Sequence, residues 1–365
     1  MRFPGFTDEW KKVTFNEVVT LQRGSSPRPI INFITHDDSG VNWVRIGDMP
    51  DTGRLVTQTE EKITVEGALK SRHVNIGDLI LSNSMSFGQP YIMGIDGYIH
   101  DGWFVLKNFE KYIERDFLCN LLIAPIIQKQ YSKLAAGGVV QNISSELVNS
   151  VKFSIPPLSE QKKIVSLLNS IDERIEIQNK IIDNLQSLIK GLAKTLTHQE
   201  EPNVRISDCL ECRTSTLQEG SLNEKEQYPV YGASGIAGYL DDYRCNEDSI
   251  LIIKDGSGAG TVSYATGEYS VIGTLNYLTA KSGYSLNYLY FCLMGFNFEP
   301  FKTGMAIPHI YFKDYGKAKI YCPSIEEQEH IAKSLTLIED KLNIETQLLK
   351  SLYMEKQYLL NNMFI

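Results

Sequence analysis

The side chains best suited to chemistry in this sequence are a Cys209-x-x-Cys212 pair, a glycine-rich stretch KDGSGAGTV (254–262) and six histidines. Zinc held structurally takes four ligands, and neither a second cysteine pair nor a closely spaced histidine pair accompanies Cys209 and Cys212. The two thiols therefore read as core-side residues near a strand start. Gly256, Gly258 and Gly260 follow the apolar run SILII, where a phosphate-cradling loop could stand. Their spacing is G-x-G-x-G, with no G-K-[ST] behind it, which fits a turn better than a nucleotide site. His36, His73, His100, His198, His309 and His330 lie far apart and form no ligand pattern. Neither H-E-x-x-H nor G-x-S-x-G occurs, and GAS at 232–234 lacks the glycine spacing of a nucleophile elbow. No catalytic residue and no metal ligand is assigned.

An internal repeat organises the chain. PPLSEQKKIVSLLNSIDERIEIQNK (from Pro156) returns 167 residues later as PSIEEQEHIAKSLTLIEDKLNIETQ (from Pro323), with Glu160/Glu327, Gln161/Gln328, Leu168/Leu335, Ile177/Ile344 and Leu185/Leu352 among the identical pairs. In the first copy Ile164, Leu168, Ile171, Ile175, Gln178, Ile182, Leu185 and Leu192 follow the four-three stepping of a coiled-coil seam. The second copy repeats it through Ile331, Leu335, Ile338, Leu342, Glu345, Leu349, Leu352 and Leu359. Ser324 and Glu327 fit a capping box, Glu160 falls in a first helical turn, and Pro202 closes the first helix from outside. Gln178 and Glu345 interrupt the seam at equivalent midpoints, so in an antiparallel pair they meet and fix its register.

The repeat extends upstream. Gly137, Val140, Ile143 and Lys152 align with Gly304, Ile307, Ile310 and Lys319 at the same offset, and GDLILSNSMSFGQP (77–90) resembles EDSILIIKDGSGAG (247–260) at an offset of 170, pairing Gly88 with Gly258. Short β-branched and aromatic runs such as NWVRIGD (42–48), DLILSN (78–83), YSVIG (269–273) and GKAKIYC (316–322) predict strands, while 113–134 and 286–296 carry helical spacing. The fold class expected is α+β: two β-rich globular domains (1–155 and 202–322) separated by two long helices (156–201 and 323–365) in an antiparallel coiled coil, related by an internal pseudo-twofold repeat.

With 42% hydrophobic and 22% charged residues the composition is that of a folded chain. No run of about 18 apolar residues occurs, and Met1 to Trp10 is polar where a signal peptide would be apolar, which points to the cytoplasm, away from any membrane, and to unpaired cysteines. The net charge of −8 excludes a broad basic DNA-binding face. Residues 1–155 are nearly neutral, with 16 basic and 17 acidic side chains, and leave room for local basic patches.

PPLSEQKKIV behind a β-rich domain, its return as PSIEEQEHIA, and YPVYGASGIAGYLDDY (228–243) together closely resemble the specificity (S) subunits of type I restriction-modification systems, over essentially the whole chain. The resemblance implies two target-recognition domains, each reading one half of an asymmetric bipartite site on double-stranded DNA. It implies no active site, and docking of two methylation (M) subunits and then restriction (R) subunits. The cofactors, S-adenosylmethionine, ATP and Mg, would sit on those partners and none on this chain. An Asn-Pro-Pro-Tyr-type adenine-methylation motif is missing, the sole proline pair being Pro156-Pro157.

Given that resemblance, base reading needs polar side chains on loops that enter a groove. The candidates in the first domain are Arg23, Ser25, Arg28, Arg45, Asn83, Ser84, Ser86, Gln89, Gln141 and Asn142. In the second they are Tyr231, Ser234, Lys254, Ser257, Thr261, Lys302, His309 and Tyr311. The alternatives are a protein-binding scaffold or antagonist subunit of the same system that does not read DNA, and an enzyme with a hidden site.

Overall fold

The computed structural model of the protein describes residues 2–50, 53–83, 88–135, 143–222, 227–304 and 306–364. It divides into two compact units, Met1–Glu176 with Lys350–Ile365, and Ile177–Leu349. In the first unit, strands β1 (Lys11–Thr14), β2 (Thr20–Arg23), β3 (Ile34–Thr35), β4 (Val41–Val44), β5 (Leu55–Val56), β6 (Glu61–Ile63), β7 (Arg72–Val74), β8 (Leu79–Ser82), β9 (Pro90–Met93), β10 (Gly97–Ile99), β11 (Trp103–Lys107) and β12 (Lys152–Ile155) are joined by helices α1 (Phe15–Val18), α2 (Val65–Ala68), α3 (Arg115–Ile123), α4 (Pro125–Ala135) and α5 (Ser145–Ser150). The strands form sheets ordered β2-β11-β8-β9-β5 and β3-β6-β4-β10-β7, beside the pair β1-β12. β8 and β11 are near-continuous apolar runs, as strands covered on both faces must be, and Ile80, Trp103 and Val105 are fully buried. The helical spacing over 113–134 resolves into two helices. Ala124, which precedes Pro125, is pushed to an extended ψ of 143° and ends α3.

The second unit repeats this frame with α7 (Ile206–Cys209), α8 (Leu286–Met294), α9 (Phe312–Tyr315), and strands β13 (Val204–Arg205), β14 (Leu210–Thr214), β15 (Tyr228–Gly232), β16 (Gly235–Leu240), β17 (Ser249–Ile253), β18 (Val262–Ala265), β19 (Ser270–Val271), β20 (Leu275–Ala280) and β21 (Lys319–Ile320). Its sheet β14-β20-β17-β18 reproduces β2-β11-β8-β9, and β13-β21 reproduces β1-β12. The glycine correspondence differs from the sequence alignment. Gly88 donates to Ser82 O and Gly260, not Gly258, donates to Ile253 O. Both have positive φ, +68° and +92°, and each faces an aromatic side chain: a Cβ on Gly88 would strike the Tyr131 ring at 2.8 Å, and one on Gly260 would strike Phe298 Cβ at 2.8 Å and its ring at 3.1 Å. The hairpin loop of the second unit, between Ile253 and Thr261, is one residue longer than that between Ser82 and Gln89.

Two 39-residue helices, α6 (Leu158–Leu196) and α10 (Ile325–Met363), carry the seams. Ile164, Leu168, Ile171, Ile175, Gln178, Ile182, Ile331, Leu335, Glu345, Leu352 and Leu359 are buried, and Leu185, Leu192, Ile338, Leu342 and Leu349 half-buried. Within the second unit Gln178 Nε2 donates to Glu345 O at 3.0 Å and to Glu345 Oε2, and Lys341 pairs with the other carboxylate oxygen. Within the first, Lys356 pairs with Asp172. Together the two contacts require antiparallel helices, since the earlier residue of α6 meets the later residue of α10, and the expected mid-seam polar meeting is present. Ser324 Oγ accepts from Glu327 N at 3.4 Å. Glu160 does more than sit at a helix start: wholly buried, it accepts from Arg2 Nη2 at 3.0 Å and Trp10 Nε1 at 3.2 Å. Among the described residues no helix is long and apolar enough to cross a membrane.

One buried amide joins each long helix to its globular part. Gln161 Oε1 accepts from the backbone of Glu114, the residue capping α3, at 2.8 Å, and its Nε2 donates to Pro156 O and Tyr112 O at 2.9 Å. Its repeat mate Gln328 accepts from Ser285, the cap of α8, at 3.0 Å and donates to Pro323 O at 2.9 Å.

Lys341 and Gln178 hold the Glu345 carboxyl below its ordinary range. The stability this contributes is therefore present above the ordinary glutamate pKa and lost as pH falls through the depressed folded value. Gln178→Leu is expected to lower Tm at pH 7, with the gap to wild type narrowing at pH 3. Indistinguishable Tm values at pH 7 would remove the register role.

Candidate nucleic-acid interface

β11 runs antiparallel to β2 and β8, placing Arg23 opposite Phe104 and Ser82 opposite Trp103. The ends of β2 and β8 and the start of β11 thus share one rim, and the loops that leave it converge. Gly24 N donates to Trp103 O at 2.8 Å, and a Cβ on Gly24 would stand 1.9 Å from His100 O, so only glycine allows this approach. Asp101 is the hub. Its Oδ1 accepts from Ser26 Oγ at 2.9 Å and its Oδ2 from Arg28 Nη2 at 3.2 Å, while its carbonyl accepts from Arg23 Nε at 3.2 Å and Asn83 Nδ2 at 2.8 Å. Burial opposes ionisation of Asp101, but Ser26, its own backbone N–H, His100 and Arg28 together hold the carboxyl below its ordinary range. Burial pushes the His100 imidazole down, between the rings of Trp43 and Trp103.

The structure thus gathers Arg23, Arg28 and Asn83, with Ser25 and Gln89 on the adjoining turns. Gln89 N donates to Ser82 Oγ. Ser84, Ser86, Gln141 and Asn142 lie outside the described residues. Arg45 stands apart: its guanidinium pairs with Glu60 at 2.5 Å and Glu61 at 2.7 Å. Sequence reasoning missed Ser26, Arg72 and Asp101. Arg72, exposed, donates from Nε to Arg23 O at 3.2 Å. The turn residues HDG (100–102) offered the one available signal for Asp101.

The same rim recurs in the second unit. Asn83 donates to Gly102 O and accepts from Ile143 N; Lys254 donates to Thr274 O and accepts from Ile310 N, so the two are structural equivalents. Beside Lys254, Asp255 Oδ1 lies 2.7 Å from His309 Nδ1. The His309 ring is near-parallel to that of Tyr311, over which Lys313 Nζ sits at 5.1 Å. Ser257 and Thr261 are exposed on the β17–β18 connection. There Ala259, Gly260 and Thr261 donate their N–H groups to Gly256, Ile253 and Gly258. Those amides close a turn and do not fan out toward an anion. Lys302 is paired with Glu299 at 2.6 Å. Tyr231 packs edge-on against the buried Tyr269, and Ser234 is exposed in the β15–β16 turn. Cys209 and Cys212 are free thiols. The Cys322 thiol beside it and burial push Cys209 up, and burial pushes Cys212 up to about 11, so neither is a ready thiolate.

Two copies of one β-rich frame, each ending in a polar rim and each leading into a coiled-coil helix, define an internally duplicated protein with two equivalent rims. The family model for the type I restriction modification DNA specificity domain matches residues 7–187 and again 201–354. The chain belongs to this type I restriction-modification DNA specificity family. It is 20% identical over 380 residues to the type I restriction enzyme EcoprrI specificity subunit of Escherichia coli, covering 94% of this chain and 90% of that one. To the MjaVIII specificity subunit of Methanocaldococcus jannaschii it is 27% identical over 200 residues, 52% of this chain and under half (45%) of that relative. The crystal structure of the type I restriction-modification S subunit from M. genitalium shares its fold, with a TM-score of 0.63 at 17% identity over 98% of this chain and 96% of that one.

Gly24→Ala is expected to cost about 1–3 kcal/mol in urea unfolding, because backbone must move to admit the methyl group. Ser25→Ala should stay within about 0.5 kcal/mol. Equal stability for both variants would mean that the first rim is not anchored at Gly24.

Proposed function

We propose that this specificity subunit reads an asymmetric bipartite site on double-stranded DNA, one half through each rim, while docking two methylation subunits and, through them, restriction subunits. The observation carrying this reading is the pairing of equivalent rims with different chemistry: Arg23, Arg28, Arg72 and Asn83 in the first unit, Lys254, His309, Tyr311 and Lys313 in the second. Equivalent backbones position the readers alike, and unlike side chains select unlike bases. Ser25, Gln89, Ser257 and Thr261 are accessory candidates. Arg45, Lys302 and Tyr231 are weaker ones, since ion pairs or core packing already engage them.

The functional division is residues 1–155 and 202–322 for recognition, with 156–201 and 323–365 as spacer helices. At 39 residues each, a helix extends about 58 Å, so helix length sets the spacer between half-sites. Ile177 and Ile344 occupy identical repeat positions yet are 56% and 62% exposed, and Ile181 and Leu348, also equivalent, are exposed beside them. Such matched apolar surface suits a pair of like partners. With a net charge of −8, those partners supply much of the phosphate contact. They also carry S-adenosylmethionine, ATP and Mg, leaving this cytoplasmic chain non-catalytic.

The test is methylation mapping on a randomised DNA library with this chain, its methylation subunit and S-adenosylmethionine. Adenine methylation at one asymmetric bipartite sequence is expected. A complex that assembles but methylates without sequence preference would make the chain a scaffold.

A further inference from the structure

Resting on that reading, we infer that position 309 determines base preference in one half-site and that Asp255 is its positioning residue. His309 is held from three directions. Its backbone exchanges hydrogen bonds with Thr303, N to O at 2.7 Å and O to N at 2.8 Å. Its Nδ1 faces Asp255 Oδ1 at 2.7 Å, and its ring lies near-parallel to Tyr311, 22° between planes. Gly304, at a φ of +89°, clears the space: a Cβ there would meet Ile307 O at 2.4 Å and His309 Cδ2 at 3.1 Å. The Asp255 segment is itself fixed, since Gly256 N donates to Pro308 O at 2.9 Å.

With Nδ1 committed to a carboxylate, that nitrogen carries the proton, and in the neutral ring Nε2 is an acceptor. Among the described residues Nε2 has no partner, and the side chain is 35% exposed. An acceptor so placed matches the exocyclic amino groups of adenine and cytosine, the donors of the major groove. The repeat offset of 167 aligns His309 with Asn142, and the equivalence of Lys254 with Asn83 aligns Asp255 with Ser84. In sequence the two repeats therefore differ at this position by imidazole against carboxamide. Asp255 has no carboxylate counterpart in the first repeat.

The experiment is the same library mapping with the full chain reconstituted with its methylation subunit, comparing wild type, His309→Asn and Asp255→Asn. Both variants are expected to change preference about tenfold at the same one or two adjacent base pairs of one half-site. The other half-site stays unchanged and serves as the internal control for folding. If His309→Asn fails to assemble, Asp255→Asn decides alone. Unaltered preferences, or an even loss of methylation at every sequence, overturn the inference while leaving the bipartite reading intact. A wild-type complex with no sequence preference overturns both.

Discussion

Everything else in this molecule is arranged around a buried glutamine, Gln161 in one repeat and Gln328 in the other. A primary amide can donate and accept at once, and each of these does: its oxygen accepts from the residue that caps a short helix of the globular part, and its nitrogen holds the turn entering the long helix. The backbone groups it serves are those that a helix start and a proline turn leave unpaired. Stranding any one of them inside the protein costs about 1–3 kcal/mol. The direction in which each long helix leaves its sheet is thereby fixed by hydrogen bonds as well as by apolar contact, and in the same way twice.

Much of this was legible in the sequence because it is periodic or repeated. The seam positions of α6 and α10 carry a four-three rhythm, and the polar break at Gln178 and Glu345 stands out against it. Gln161 and Gln328 were visible as an identical pair, although nothing in their spacing disclosed what they bind. The rims were legible as loops but not as sites. Arg45 was a candidate alongside Arg28, yet Glu60 and Glu61 engage it. Ion pairs formed across a sheet leave no trace along the chain. Asp101 gathers four side chains and was a single aspartate in a turn; Tyr231 resembled a loop aromatic and packs on Tyr269.

The two repeats keep their frames while exchanging what fills them. Tyr131 on α4 closes the notch at Gly88, and Phe298, in a stretch without an equivalent of α4, closes the notch at Gly260. Both glycines must accept an aromatic ring against the backbone in a left-handed conformation, so their type is constrained while the segment delivering the ring is not. Glu160 and Glu327 show the opposite case. They are an identical pair, but Arg2 and Trp10 engage the buried carboxylate of the first, whereas the second is exposed and it is its backbone N–H that donates to Ser324 Oγ.

If the first rim reads DNA as proposed, the contact between Arg28 and Asp101 has a kinetic meaning. An arginine already facing a carboxylate must exchange that partner for a phosphate before it can hold DNA, and the exchange subtracts from the sequence-independent attraction that every duplex offers. Where bases also fit the rim, the lost ion pair is offset by contacts that random sequence cannot make. On that reading, an internal anion of this kind would shorten residence on non-cognate DNA more than on the target. It would then act as a built-in competitor that speeds the search by making the wrong stops brief.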